Sequence, residues 1–367
     1  MDRERLPEQI EALDEIARIC EEEGVSLVLI AGDVFDTYLP SAEAEEVFFR
    51  AVKKLAGDDR AVVIVSGNHD DGVRLSASAP LAEEQGVYIF GGLPRRFKTG
   101  GGRPVRAVET GENWLVIEDR KGEKVYINAL PYPNEARLKE EKTEESYSEK
   151  MRRWILRGEE GYRRDMPRIL LSHLFVAGGK VSESERDIDL GGARAVPVSV
   201  FPEEGYTALG HLHRKQRIGN ARYSGSILQY SFDEANTEKC VLLLETSGKN
   251  FSEREIPLRS GKKLVRLECE RFSKALELLP KYKNHFIELT LLLKEPLTTK
   301  ETQSLREASE GLVSLITKVQ EGEVAPVQSR VAMSSKELFT EYYRSLFGEE
   351  PKEELLGAFL ELTEVDE

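Results

Sequence analysis

The sequence predicts an α/β fold, and three observations carry that prediction. A stripe of apolar residues at helical spacing is followed by a short apolar run, and the pair is then repeated. Each such run stops abruptly at a glycine or serine. The side chains suited to metal or acid–base chemistry sit just past those stops, at the carboxyl ends of the strands, where α/β sheets gather function.

The first helix is read from Leu6, Ile10, Leu13, Ile16, Ala17 and Cys20, and Gly24 ends it. Val25 to Ala31, broken only by Ser26, is a strand that stops at Gly32-Asp33. A second helix runs from about Ala42 to Leu55. The second strand, Ala61 to Val65, stops at Ser66-Gly67-Asn68-His69-Asp70. From Gly86 to Ala129, short β-like runs are separated by Gly and Pro, with a hairpin turn expected at Gly100-Gly101-Gly102. The mixed-charge run Lys139 to Lys150 reads as a solvated face entering a helix that holds Trp154. Ile169-Leu170-Leu171 and Tyr206 to Leu209 are strands ending at Ser172-His173 and Gly210-His211. Val241 to Leu244 is a further strand.

After about Gly261 the texture changes. Lys263 to Leu267 and His285 to Leu292 alternate like strands, and Phe272 to Leu279 suits a helix. Thr298 and Glu301 form a capping box for a helix expected to reach about Thr317. This βαβα pattern predicts a small α+β domain over 259–330, following a main domain over 1–258. Residues 331–367 are expected to form a helical hairpin. Ser334 and Glu337 cap its first helix, which carries Leu338, Tyr342 and Leu346 on one stripe. Gly348 stops that helix, and Pro351 opens a second with Leu355, Leu356, Phe359 and Leu360. Two uses stand open for so apolar a hairpin: docking on its own domain, or holding a partner protein.

A chain of 367 residues has room for two or three domains of about 100–200 residues each. With 40% hydrophobic and 32% charged residues it reads as soluble and globular. No stretch approaches the roughly 18 uncharged apolar residues of a membrane helix. Met1 to Gln9 carry charge and no apolar signal-peptide core, so a cytoplasmic location away from any membrane is expected. The cysteines Cys20, Cys240 and Cys269 are far apart, which argues against a disulfide framework or a cysteine zinc site. The net charge of −14 does not suit a protein that grips DNA through a broad basic face. Half of it, however, lies in residues 334–367, where 10 acidic residues face 3 basic ones. Metals can hold phosphate in place of such a face.

The chain has five histidines, and four of them fall in three short segments that each follow an apolar strand. These are Gly67-Asn68-His69-Asp70, Ser172-His173 and Gly210-His211-Leu212-His213. A fourth strand-end loop, Gly32-Asp33-Val34-Phe35-Asp36, adds two carboxylates. Carboxylate and amide oxygens favour Mg²⁺ or Mn²⁺, and imidazole favours Mn²⁺, Fe²⁺ or Zn²⁺. Two such ions about 4 Å apart clamp a phosphate and generate hydroxide for in-line attack. A bridging carboxylate must hold them that close, and Asp33 is the natural candidate. Gly32, Gly67 and Gly210 let the backbone turn sharply out of each strand.

This set of motifs resembles the calcineurin-like metallophosphoesterases. Leu29-Ile30-Ala31-Gly32-Asp33-Val34-Phe35-Asp36, Tyr206-Thr207-Ala208-Leu209-Gly210-His211-Leu212-His213 and Arg222-Tyr223-Ser224-Gly225-Ser226 narrow the likeness to the bacterial SbcD exonuclease family. The resemblance runs across most of the chain. It implies a metallophosphoesterase sandwich of two β-sheets flanked by helices, with the small domain as a capping domain. It implies two divalent metal ions, Mn²⁺ in the first instance with Mg²⁺ as an alternative. Asp33 would bridge them. Asn68, His173 and His211 would complete the second site, and His213 would belong to the first. His69 would face the phosphate, stabilising charge or protonating the leaving oxygen. Asp36 and Asp70 would orient neighbours, with loop capping as the other reading.

The family opens with an apolar strand ending in Asp-x-His, which supplies the rest of the first metal's shell. This chain opens directly on its first helix, with no His before His69. The expectations are therefore a first site holding only Asp33 and His213, exposed edges on the neighbouring strands, and a natural start upstream of Met1. A chain that has lost the first metal is the alternative.

The implied function is metal-dependent hydrolysis of DNA phosphodiesters, exonucleolytic on double strands and endonucleolytic on hairpins or single strands. The implied partners are DNA and an SbcC-like ATPase, whose coiled coil would receive the C-terminal hairpin. The implied assembly is a homodimer within a heterotetramer, acting in DNA recombination, replication and repair. Two other readings remain: a phosphatase or cyclic-nucleotide phosphodiesterase, and a catalytically weak structural subunit. Arg95, Arg96, Lys98, Arg103 and Arg106 are read either as a DNA path or as an ordinary basic hairpin. Gly191-Gly192 is read either as a close approach to the site or as a plain turn.

Overall fold

A computed structural model describes residues 4–319 apart from 93, 135–143 and 186–194, and beyond 319 only 336, 339, 340, 343, 350, 351, 353, 355, 356 and 359. The first layer is helical. Helix α1 (Leu6–Glu22) opens with Pro7 in its first turn. Helix α2 (Ala42–Ala56) starts where Ser41 Oγ accepts the Ala44 N–H. Both pack through Ala17, Phe48, Val52 and Leu55 on a three-stranded parallel sheet.

That sheet is built from β1 (Leu27–Ala31), β2 (Ala61–Val65) and β3 (Val87–Phe90), in the order β1-β2-β3. Two short helices, α3 (Gly72–Ser76) and α4 (Ala79–Glu84), lead from β2 to β3. All five residues of β2 are buried, which is why it reads as an unbroken apolar run. Burying each contributes about 1.5–3 kcal/mol for a Val or Ile side chain. Among the described residues strand β1 has β2 as its one ladder partner, and its five residues are only half-buried, as expected of an edge.

The second sheet has seven strands: β4 (Arg106–Gly111), β5 (Trp114–Glu118), β6 (Lys124–Leu130), β7 (Arg168–His173), β8 (Tyr206–Gly210), β9 (Gln216–Ile218) and β10 (Ala221–Tyr223). Their order is β4-β5-β6-β7-β8-β10-β9. Its inner face places Leu115, Ile117, Ile127 and Leu171 against Val63, Val65 and Phe90 of the first sheet. Its outer face is covered by helix α5 (Tyr147–Arg157) through Met151, Trp154 and Ile155. The main domain is therefore a helix–sheet–sheet–helix sandwich, with β1, β2, β7 and β8 ending on the same side.

An antiparallel ribbon, β11 (Cys240–Ser247) with β12 (Asn250–Pro257), leads to the small domain. That domain runs β13 (Lys263–Cys269), α6 (Phe272–Leu278), β14 (His285–Leu293), α7 (Thr299–Ala308) and β15 (Leu312–Val319). Its sheet is parallel, in the order β13-β14-β15. The expected capping box at Thr298 and Glu301 is present. The helix it starts ends at Ala308, not near Thr317. Gly311 packs against the His285 carbonyl, and the β-branched Val313, Ile316, Thr317 and Val319 then lie in a strand beside β14. The pattern is βαβαβ, one strand longer than expected.

The hairpin turn expected at Gly100-Gly101-Gly102 does not form: the Gly100 N–H donates to the Ala107 carbonyl at 2.9 Å and closes a wider loop. The segment before it is not a strand. The junction of the two domains is clasped by α1. Glu15 accepts the N–H groups of Arg259 and Ser260, and Glu8 accepts that of Lys262. Arg5 donates to the Gln229 carbonyl at 2.9 Å, and the Gln229 side-chain oxygen accepts the Leu264 N–H at 2.7 Å.

The expected C-terminal hairpin lies almost wholly outside the described residues, although the rings of Phe339 and Phe359 stack with centroids 4.1 Å apart. Gly191-Gly192 also lies outside them. Among the described residues no helix is long and apolar enough to cross a membrane.

Candidate metal and phosphate site

Four strand ends deliver their side chains to one place. His173 is the last residue of β7, and its Nε2 lies 3.1 Å from Asp33 Oδ2 and 2.8 Å from Asn68 Oδ1. His211 follows β8, and its Nδ1 lies 3.1 Å from Asn68 Oδ1 and 3.3 Å from His173 Nε2. Asp33, His173 and His211 are the one group of three or more His, Cys, Asp or Glu among the described residues whose ligand atoms all lie within 4.8 Å of one another.

The backbone around this cluster is shaped to bring it together. Asp33 and His211 have φ of +49° and +105°, conformations that cost about 1–3 kcal/mol each in a residue with a Cβ. At Gly32, whose φ is +83°, a Cβ would stand 2.5 Å from His173 Nδ1. At Gly210 it would strike the Ala31 carbonyl oxygen. His173 Nδ1–H donates to that same oxygen at 2.7 Å, which leaves Nε2 for the cluster.

Burial works to raise the Asp33 carboxyl, but the charge and hydrogen bond of His173, with His69 beside it, outweigh burial and hold it far below the usual carboxylate range. Burial works to lower His173, but Asp33 and the Ala31 carbonyl outweigh it and the ring is raised. Two imidazole nitrogens, a carboxylate and an amide oxygen converging at this spacing are a donor set that fits a divalent Mn, Fe or Zn ion.

His69 stands at the rim. Its backbone N–H donates to Asp33 Oδ1 at 3.0 Å, and its ring Nδ1 meets the Asp36 carbonyl at 3.0 Å. The Asp36 carboxylate lies farther off, at 3.6 Å, and is 92% exposed. Asp36 thus touches His69 mainly through its backbone. Asp70 is fully buried and accepts three backbone N–H groups, from Gly67 at 2.7 Å, Phe35 at 3.0 Å and Val34 at 3.2 Å. It stitches the Asp33 loop to the Asn68 loop. Burial, with the Asp33 charge, raises its carboxyl despite those donors.

His213 lies outside the four-residue cluster. Its Nδ1 is 2.7 Å from Ser184 Oγ and 3.6 Å from Glu234 Oε1, and its backbone N–H donates to Glu185. Burial lowers the ring, while Glu234 and Glu185 work against it. Glu234 is 0% exposed and sits 3.5 Å from Lys239 Nζ, which also donates to the His213 carbonyl at 2.8 Å. Ser182, Ser184, Glu185, Glu234 and Lys239 escaped sequence reasoning. None follows an apolar strand, and only Phe232 two residues before Glu234 hints at a buried turn.

Three of the five basic residues of the turn region are occupied structurally, while Arg96 and Lys98 are exposed. Arg95 pairs with Glu83 and Arg106 with Glu118. Arg103 donates to the carbonyls of Ala56, Gly57 and Arg60 at 2.8–3.2 Å. Those carbonyls precede β2, at the end of the sheet opposite Asn68. Arg103 is thus a clamp on the end of α2, not part of a path to the site.

The model of the calcineurin-like phosphoesterases matches residues 6–215, a span that holds every residue of this site up to His213. A Bacillus subtilis protein, named as the SbcD component of the nuclease SbcCD, is 33% identical over 380 residues, which cover 98% of this chain and 93% of that protein. A Rhodobacter capsulatus protein of the same name is 33% identical over 330 residues, covering 82% of this chain and 78% of its own.

Proposed function

We propose, from the premise that this chain belongs to the calcineurin-like phosphoesterase family, that it is a metal-dependent DNA phosphodiesterase, the nuclease subunit of an SbcCD-type complex. The observation that carries this reading is the convergence of Asp33, Asn68, His173 and His211 from four strand ends. The likeness to the two relatives over most of their length supports DNA over small phosphate esters.

Asp33, Asn68, His173 and His211 would hold one ion, and Asp33 with His213 would contribute to a second. A divalent ion so held supplies charge neutralisation at the phosphoryl oxygens and acidifies a water. The Ala31 carbonyl keeps the His173 proton on Nδ1 and its lone pair on Nε2. The Asp36 carbonyl does the same for His69, so Nε2 is where that ring gains a proton and gives it to the leaving oxygen. Asp70 holds the two loops at the separation this requires.

The finer features belong to the same proposal: manganese as the ion, a homodimer, an SbcC-like ATPase as partner, a cytoplasmic location and a role in repair.

The test is cleavage of linear duplex and hairpin DNA by purified protein with Mn²⁺, set beside p-nitrophenyl phosphate and cyclic nucleotides. DNA cleavage abolished by His69→Ala supports the reading. Hydrolysis of small esters alone would replace it with a phosphatase. No hydrolysis of any substrate would favour a structural subunit.

A further inference from the structure

We propose that Glu234 is a positioning residue that sets the tautomer of His213 through a two-serine relay. The inference rests on the reading above, in which His213 is a metal ligand.

Donor chemistry sets the direction of the relay at its Glu234 end, and the proposed relay carries that direction on to His213. Glu234 is fully buried, and each neighbour on its carboxylate can be assigned. The Tyr230 backbone N–H donates to Oε2 at 2.7 Å, and Lys239 Nζ stands 3.5 Å from Oε1. Neither of these groups can accept a hydrogen bond. The Ser182 hydroxyl donates to Oε1 at 3.1 Å. Having given its one proton there, Ser182 Oγ is an acceptor toward Ser184 Oγ, 3.4 Å away. Ser184, donating to Ser182, is in turn an acceptor toward His213 Nδ1, 2.7 Å away. In this direction of the relay His213 carries its proton on Nδ1. Its Nε2 is left as the lone-pair nitrogen, the form an imidazole needs to bind a metal. The direct approach of Glu234 Oε1 to Nδ1, at 3.6 Å, favours the same tautomer.

The parts of the relay are held from several sides. The Ser182 and His213 N–H groups both donate to Glu185, which fixes the 182–185 turn against the His213 loop. The Glu183 N–H donates to Asp233 at 3.2 Å, and Arg214 pairs with the same carboxylate at 2.6 Å. Phe232 packs with Leu264 and Phe286 of the small domain. The turn that carries Glu234 is therefore anchored by both domains. A structural ion pair with Lys239 accounts for the burial of Glu234, but it leaves the order Glu234, Ser182, Ser184, His213 unexplained.

The test uses the full chain with ¹⁵N-labelled histidine, stripped of metal and held at about pH 8, where the ring is neutral. His213→Ala assigns the resonances. Wild type should show the Nδ1–H tautomer. Ser184→Ala breaks the relay without touching the Glu234–Lys239 pair, and should shift the ring to Nε2–H or to a mixture. Ser184→Thr, which keeps the hydroxyl, should restore wild type. Mn²⁺ titration calorimetry should show the binding event lost in His213→Ala weakened about 10–100-fold in Ser184→Ala. Glu234→Gln, where its folding is confirmed by melting temperature, should scramble the tautomer as well. A wild-type ring protonated on Nε2, or a Ser184→Ala protein with unchanged tautomer, overturns the proposal. Unaltered manganese binding in His213→Ala overturns instead the ligand role given to His213, and the tautomer still decides for or against the relay.

Discussion

The carbonyl oxygen of Ala31 and the Nδ1 of His173 meet at 2.7 Å across 142 residues of sequence. The last residue of one strand in the first sheet thereby fixes the ring at the end of a strand in the second. The contact needs both backbones close together, and Gly32 and Gly210 allow that. Gly32→Ala should lower manganese affinity at least tenfold and stability by about 1–3 kcal/mol, since it adds a Cβ at positive φ against the His173 ring. Calorimetric titration and urea unfolding measure the two effects. A variant matching wild type in both would show that the loop has room to yield.

The Asp33–His173 pair makes stability depend on pH in the metal-free protein, and the sign follows from the two shifts. Asp33 is lowered, so its contribution is present above about pH 4, its ordinary value, and is lost as pH falls toward the native one. His173 is raised, so its contribution is complete below about pH 6.5 and is lost as pH rises through the native value. The two overlap between about pH 4 and pH 6.5. In EDTA, His173→Gln should lower the melting temperature most in that window, and the gap should narrow on either side. Manganese affinity should run the other way, climbing above about pH 6.5 as the proton leaves Nε2. A gap that stays constant from acid to alkaline pH would rule out the pair as its source.

His69 and Asp36 should separate cleanly. His69→Ala should cut DNA cleavage by about 10²–10⁴-fold while metal binding persists. Asp36→Ala should cost less than about tenfold, because the group that meets the ring is the backbone carbonyl, which the substitution keeps. Single-turnover rates with saturating Mn²⁺ give the comparison. Equal losses in the two variants would mean that the carboxylate, not the carbonyl, orients the ring.

Asp70→Ala should destabilise the fold by about 2–4 kcal/mol, since it strands the N–H groups of Val34, Phe35 and Gly67. Metal affinity should fall with it, as the two loops lose their stitch. Asp70→Asn, which keeps an acceptor oxygen, should recover part of both. Chemical denaturation in EDTA isolates the stability term.

Arg103→Ala should lower stability by about 2 kcal/mol by removing a donor shared by three carbonyls, of which Ala56 keeps the Arg60 N–H, and leave the rate of DNA cleavage unchanged. A weaker apparent Kd for DNA at low salt, with stability intact, would restore the DNA-path reading for this residue.

The parts of the molecule legible in the sequence are those where local chemistry and tertiary role coincide. Ala61 to Val65 is buried on both faces, so its apolar run and its strand have the same ends. Asp33, Asn68, His173 and His211 each lie at or just past the end of an apolar strand, so strand-end position together with residue type finds them. Helix α7 shows the opposite case. Its capping box marked its start, but its end depends on Gly311 meeting His285, a contact between distant parts of the chain. Arg103 looked like surface charge because its three acceptors are backbone carbonyls, which leave no mark in a side-chain pattern. Glu234 and the two serines were invisible for a related reason: a hydrogen-bond relay has no period.

The clasp between α1 and the interdomain link also has a consequence for biosynthesis. Glu15 and the backbone it holds at Arg259 are 244 residues apart. At the usual pace of a ribosome that separation lasts on the order of tens of seconds. Throughout that interval Glu15 lacks the N–H groups of Arg259 and Ser260, and Glu8, which has Arg5 beside it, lacks that of Lys262. The sandwich can collapse around its sheets while the nascent chain is still tethered. Its registration with the small domain must await the codons for Arg259 to Lys262, so α1 is finished only when the link more than two hundred residues after it has been made.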